Sequence, residues 1–202
     1  CKARRSNRAF SKKKVPAHLI DKIIEASHTA PSASNSRQIS YTVVTDPEKL
    51  QMITEFTLST FDSIKKKLTF PLLKPLAKLF LPEAYRYTTL FRSLNEAYYD
   101  QGEDLILRKA TGIILYHTPK SYRFGVADAN LAYQNGSLMA ECLGVNQFYL
   151  GFVCTAIQLN KGKLEELLGI EGTIHAGMAI GLPRFRFPNY VDREEIRVAT
   201  FD

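Results

Sequence analysis

Gly112-Ile113-Ile114-Leu115-Tyr116-His117-Thr118 is an unbroken apolar and β-branched run, opened by glycine and followed by Pro119. A run of this kind reads as a strand buried on both faces, and the rest of the chain is arranged around it. Downstream, Ala127 to Leu143 reads as a long helix, apolar on nearly every side, with Gly144 as its C-terminal stop. Its small residues Ala129, Ala132, Gly136, Ser137 and Ala140 allow another helix to come close. Val145 to Phe152 reads as a further strand, Gly162 to Leu168 as a short helix ended by Gly169, and Ile174 to Leu182 as another strand. The tail, Glu195 to Phe201, is a candidate last strand.

Upstream, Val15-Pro16 opens an amphipathic helix with Leu19, Ile20, Ile23, Ile24 and Ser27 at helical spacing, ending near Ala30-Pro31. A polar loop follows from Pro31 to Gln38, then a strand from Ser40 to Thr45. Asp46 and Pro47 are the N-cap and first position of a second helix. Residues 60–95 differ in character: Lys65-Lys66-Lys67 precedes an apolar, basic stretch broken by Pro71, Pro75 and Pro82. Those prolines make it a lid or packed excursion, with a membrane-surface helix as the alternative. The elements lack a regular βαβ rhythm, so residues 1–202 read as one α+β domain, with helices around a mixed sheet.

Composition agrees with a globular chain: 45% hydrophobic and 23% charged residues. No run of about 18 apolar residues is present to cross a bilayer. Three cysteines without C-x-x-C spacing give no disulfide framework, which points to a reducing compartment such as the cytoplasm. Cys142 and Cys154 sit in apolar sequence and read as buried structural residues.

The signatures of nucleotide-triphosphate loops, Rossmann turns, nucleophile elbows and zinc sites do not occur. His117 and His175 fall in strands and read as satisfied core or loop-edge residues, not as ligands. What the chain does carry is Arg4-Arg5-Ser6-Asn7-Arg8, three guanidiniums and a hydroxyl within five positions. Guanidinium forks match phosphate oxygens two at a time, so this is a receptor for a dianionic phosphate. If extended, the stretch points Arg4, Ser6 and Arg8 to one side. Residues 1–14 hold seven basic side chains and no acid, which equals the whole formal net charge of +7. A solvated nucleic-acid-binding arm is the competing interpretation. A phosphate receptor without an evident nucleophile or acid–base pair suits a protein whose reactive group is borrowed.

Four segments in order narrow this further: R-R-S-x-R-x-F at Arg4 to Phe10, V-P at Val15-Pro16, A-P-S-x-x-N-S at Ala30 to Ser36, and G-x-P-x-x-R at Gly181 to Arg186. Together they resemble the flavin mononucleotide (FMN)-dependent nitroreductase family over residues 4–201. The closest variant is the branch often fused behind a ferredoxin-like iron–sulfur module. The resemblance implies a central, mainly antiparallel sheet surrounded by helices, in a domain-exchanging homodimer with FMN at the interface. By position, Arg4, Arg5 and Ser6 would hold the phosphate and ribityl chain, and Arg8 would approach the pyrimidine edge. A cation there stabilises the negative charge of the reduced ring near N1 and O2.

The resemblance assigns Pro31, Ser32 and Ala33 to the partner's contribution and Asn35 to the ring edge. Backbone near Leu150 and Gly151 would face N5 and O4, and Arg184 with Arg186 would close on the phosphate. It departs from many relatives in having Arg37-Gln38-Ile39 after Asn35-Ser36 and Leu150 where some carry an acid. With no tryptophan, aromatic cover over the flavin would come from Tyr or Phe, in residues 60–100. The implied activity is NAD(P)H-dependent reduction of a small acceptor, a nitroaromatic or quinone, by a ping-pong cycle. No metal, no catalytic side chain, no nucleic acid and no stable membrane insertion are implied. The alternatives are an electron-relay module dependent on an upstream iron–sulfur domain, and a flavin-fragmenting or dehalogenating relative.

Overall fold

The computed structural model describes residues 2–72, 75, 79–185, 187 and 198–200. In chain order its elements are α1 (Ala17–His28), a 3-10 turn (Ala33–Asn35), β1 (Ser40–Val44), α2 (Pro47–Thr69), α3 (Pro82–Tyr99) and β2 (Gly112–Thr118). They continue with α4 (Gly125–Cys142), β3 (Asn146–Tyr149), α5 (Gly151–Leu159), α6 (Lys163–Leu168) and β4 (Thr173–Gly181). The strands form one sheet in the order β1-β2-β4-β3. All three pairings are antiparallel, in keeping with the mainly antiparallel sheet that the resemblance implies.

Alternation along β2 builds the two layers. Ile113 and Leu115 enter a core with α2, α3, α5 and α6, whereas Ile114 and Tyr116 enter a second core with α1 and α4. A register shift between Tyr116 and His117 breaks the alternation opposite β4. Ile174 therefore packs in the first core and Ala176 in the second, although they are two residues apart. On the α1/α4 side, the close approach expected of the small residues is real. A Cβ at Gly136 would fall 2.3 Å from Ser27 Oγ and 3.0 Å from the Tyr116 hydroxyl. That hydroxyl lies 3.2 Å from Ser27 Oγ, and burial pushes its pKa upward.

Two expectations need correction, for the end of β3 and for Cys142. Val145 to Phe152 is not one strand: β3 stops at Tyr149, and Gly151 begins α5. β3 pairs only Met178–Gly181 of the nine-residue β4 before the chain enters α5 over the first core. Residues 60–69 and 82–95, expected as a lid or packed excursion, are helical: Phe61, Phe91 and Leu94 are buried, and Pro71 and Pro82 sit at helix boundaries. Cys142 is exposed, because α4 ends there in solvent, while Cys154 is buried as expected and burial lifts its thiol to about 11. Of the anticipated tail strand, only residues 198–200 lie within the described part, and they are in no strand.

His117 and His175 stand at one end of the sheet. His117 Nε2 lies 3.0 Å from Thr42 Oγ1, and His175 Nε2 lies 2.8 Å from Thr118 Oγ1. Glu165 is buried beside them and accepts the Ile174 N–H at 3.0 Å. Burial lowers the pKa of both rings, outweighing the pull of the Glu165 carboxylate in the other direction. Each ring thus binds a proton less readily folded than unfolded, so the unfolded chain protonates first as pH falls below about 6.5. Stability is full above that value and declines as pH drops through the folded pKa values. We expect the urea midpoint to fall between pH of about 7.5 and about 5.5, and a His117→Gln/His175→Gln variant to flatten that fall. An identical slope in the variant would show that other groups set the acid limit.

Candidate functional site

The basic arm is tied to β3 and to the end of β4. The Asn7 N–H donates to Gln147 O at 2.9 Å, and the Gln147 side chain joins the Tyr133 hydroxyl (2.9 Å) to Arg5 O (3.4 Å). Ala9 O accepts from Asn146 Nδ2 at 2.9 Å and from the Arg184 N–H at 3.1 Å. Phe10 bridges Pro183, stacks on Phe148 with ring centroids 5.9 Å apart, and covers Gly181. A Cβ at Gly181 would sit 2.5 Å from the Phe10 ring, so glycine is what lets this anchor lie flat.

Anchoring Asn7 inward sends its neighbours to different sides. Arg8 places its guanidinium 5.5 Å over the Phe148 ring and lines a cavity of about 730 Å³. Arg5 instead stacks 3.9 Å over Phe187 and lines a separate, more polar hollow with Asn7 and Asn146. Arg4 is half-buried, and its charge works against the burial that lifts the Tyr133 hydroxyl to about 12. Ser6 is exposed. Within one chain the cluster is divided between two depressions and does not form a single receptor.

The large cavity is walled by α2 (Phe61, Ile64, Leu68), α3 (Tyr87, Leu90, Phe91), the 105–108 loop, and the junction of β3 with α5. Tyr149, Gly151 and Phe152 line it, while the Leu150 side chain is buried below and its N–H is taken by Gly177 O at 2.9 Å. The donors left at this edge are therefore the first-turn N–H groups of α5, beginning at Gly151, where no side chain caps the helix. They carry the positive end of the helix dipole toward the cavity. A Cβ at Gly151 would meet nothing nearer than Tyr149 Cδ1 at 3.9 Å, so packing within the chain does not demand glycine there.

The Pro31–Ser36 loop lies elsewhere. Pro31 and Ser32 border a shallow hollow with Asp128 and Tyr41, away from Arg8. The Ala33 N–H lies 3.2 Å from both oxygens of the buried Asp128 carboxylate, which also accepts from the Tyr122 hydroxyl at 2.6 Å. Ser36 Oγ lies 2.6 Å from the same hydroxyl. Ser34, Asn35 and Arg37 all have left-handed φ, near 50°, and Asn35 Oδ1 accepts from Arg37 Nε at 3.1 Å. Arg184 is exposed beside the arm, and Arg186 lies outside the described residues.

The sequence pattern did not single out Asp128 or Tyr122, and it placed Gly151 in a strand where it opens α5. A carboxylate in the first turn of an otherwise apolar helix was the available signal for Asp128, since a buried acid must find donors. Asp128→Asn halves the acceptor set on Ala33. We expect amide exchange across residues 32–36 to rise by at least about tenfold in that variant. Unchanged exchange would mean that the left-handed backbone, not the carboxylate, holds the loop.

Among the described residues no helix is long and apolar enough to cross a membrane. No curated protein sequence gives a match. In fold the chain is similar to a nitroreductase from Bacteroides fragilis solved with bound FMN, at 19% identity and a TM-score of 0.65, covering 100% of this chain and 94% of that one. A nitroreductase with bound FMN from Desulfitobacterium hafniense gives 17% identity and 0.68 over 98% and 95%. An iodotyrosine deiodinase bound to FMN and 3-iodo-L-tyrosine gives 20% and 0.64 over 99% and 97%. At such identities the likeness speaks for the fold. The family model of the nitroreductases matches residues 1–182, and with the arm, the sheet and the β3–α5 junction all inside that span, the chain belongs to the nitroreductase family.

Proposed function

We propose that this chain is an FMN-dependent oxidoreductase that passes electrons from NAD(P)H to a small organic acceptor. The observation that carries this is the meeting of Arg8 with the uncapped N-terminus of α5 at Gly151, in one large cavity with aromatic walls. A guanidinium and free backbone N–H groups at one mouth suit the two polar edges of an isoalloxazine ring, and the apolar walls suit its body. When bound, FMN supplies two-electron transfer between NAD(P)H and a nitroaromatic or quinone in a ping-pong cycle.

The residues of the chain bind and tune. Arg8 neutralises negative charge at the pyrimidine edge, and the cavity's low polarity strengthens that effect. Gly151 N–H donates at the opposite edge, where the missing side chain permits close approach. Arg4, Arg5 and Ser6 hold the phosphate and ribityl chain, joined by Arg184 and Arg186. Pro31, Ser32, Ala33 and Asn35 come from a second copy, since within one chain their loop is anchored on Asp128, away from Arg8. A homodimer working in the cytoplasm, each subunit a single domain, belongs to the same proposal. Cys154 supplies no thiolate, because burial pushes its thiol up to about 11.

The test is the visible spectrum of the purified chain with added FMN, beside an Arg4→Ala/Arg8→Ala variant. We expect a bound-flavin spectrum in the parent and at least about a hundredfold weaker affinity in the variant. A folded dimer that takes up no flavin would sink the proposal, and salt-sensitive DNA binding would then restore the basic-arm interpretation. Flavin uptake without NAD(P)H oxidation would leave an electron-relay module. Gly151→Ala gives a sharper check. Thermal stability should hold or rise, since alanine is the better helix former, while flavin affinity drops about tenfold. Equal affinity would remove Gly151 from the site.

A further inference from the structure

Two consecutive residues in the 105–108 loop and its end, Arg108 and Lys109, have left-handed φ of 54° and 60°. That conformation is unfavourable for residues with a Cβ and persists only where the surroundings over-determine it. Here Asp104 does so. Its Oδ1 accepts the N–H groups of Ile106 and Leu107 at 2.9 Å each, and its Oδ2 lies 3.4 Å from that of Lys109. Ile106 and Leu107 are themselves buried in the first core, which clamps the loop from below. The result is that Lys109 is left in solvent while Arg108 is half-buried in the cavity wall.

Arg108 makes no ion pair or hydrogen bond among the described residues. Glu83, the one acid lining the same cavity, is exposed at its rim and is not paired with it. The second guanidinium of the cavity, Arg8, lies 5.5 Å over the Phe148 ring and is assigned above to the flavin. The same cavity is lined by a set of aromatic rings in mutual contact. Phe61 and Phe91 stack with centroids 4.4 Å apart and planes 11° apart, Tyr87 stacks on Phe91 at 6.2 Å, and Phe152 meets Phe61 edge-on at 6.1 Å. An unpartnered guanidinium set among aromatic faces pairs best with a flat ring bearing an acid.

We infer that the acceptor is an aromatic compound carrying an anionic substituent, and that Arg108 is the residue that selects it. This rests on the FMN reading above, which supplies the electrons, and it goes beyond that reading in naming the acceptor's charge. A neutral quinone or nitroarene would use the aromatic wall and leave Arg108 idle.

The experiment measures kcat/KM of the FMN-loaded protein for 4-nitrobenzoate and for nitrobenzene, with NADH or NADPH as reductant, in the parent, Arg108→Gln and Arg108→Lys. Taking the ratio of the two acceptors within each protein cancels their different reducibility between variants. We expect Arg108→Gln to lower the anion-to-neutral ratio about tenfold, through KM for 4-nitrobenzoate, with the flavin spectrum and nitrobenzene turnover retained. Arg108→Lys should recover part of the loss. An unchanged ratio in flavin-loaded protein overturns the inference and leaves the FMN reading standing. So does a loss that falls on KM for NADH or NADPH, which would assign Arg108 to the reductant's phosphates. A parent chain that binds no flavin overturns both.

Discussion

Strands β2 and β4 have no face left for water, since every second side chain enters one helix layer and the intervening ones enter the other. Their backbone groups must then be satisfied within the sheet, which requires a neighbour on each outer edge. β1 serves β2, and the short β3 serves β4. Because β3 is only four residues long, the chain leaves it at Tyr149 and enters α5 almost at once. The basic arm docks on the same strand through Asn7 and Gln147. Arg8 and the N-terminus of α5 meet because both hang from β3.

The cavity follows from the same arrangement. α2 runs 23 residues and lines the cavity with Phe61, Ile64 and Leu68. α3 stacks Phe91 on Phe61, so the two helices together wall one side of that space. The loop that borders this space is held by Asp104, whose carboxylate gathers the N–H groups of Ile106, Leu107 and Lys109 that a turn would otherwise leave to water. Rigid support beneath an open, apolar volume is what a flat ligand needs.

The opposite layer is organised for a different end. Gly136 lets α4 lie against Ser27 of α1, and Asp128 one helix end away secures the Pro31–Ser36 loop on the outside of that pair. The loop is therefore presented outward with a fixed, strained backbone. A segment ordered in this way, yet far from its own chain's cavity, fits a role toward another copy of the molecule.

Much of this was legible without coordinates. Residues 112–118 declare a buried strand through an apolar run that no amphipathic element would carry, and Asp46-Pro47 declares a helix start that the Asp46 side chain then caps at 2.9 Å from the Lys49 N–H. The arginines of the arm announce an anion, because nothing acidic surrounds them in sequence. Local chemistry sufficed for these, since each depends on neighbours within a few residues. It did not suffice for the end of β3, where the chain leaves the sheet to pack α5 on the first core, or for Cys142, whose exposure depends on where α4 ends relative to the surface. Nor could it separate Arg5 from Arg8 into two depressions, because that follows from Gln147 holding Asn7 across 140 positions of chain. The sequence by itself determined strands β1, β2 and β4, helices α1, α2, α4 and α6, and where positive charge is concentrated. Only the tertiary structure decided which charges share a cavity, because side chains distant in sequence are brought to one wall by packing and not by any periodicity of their own.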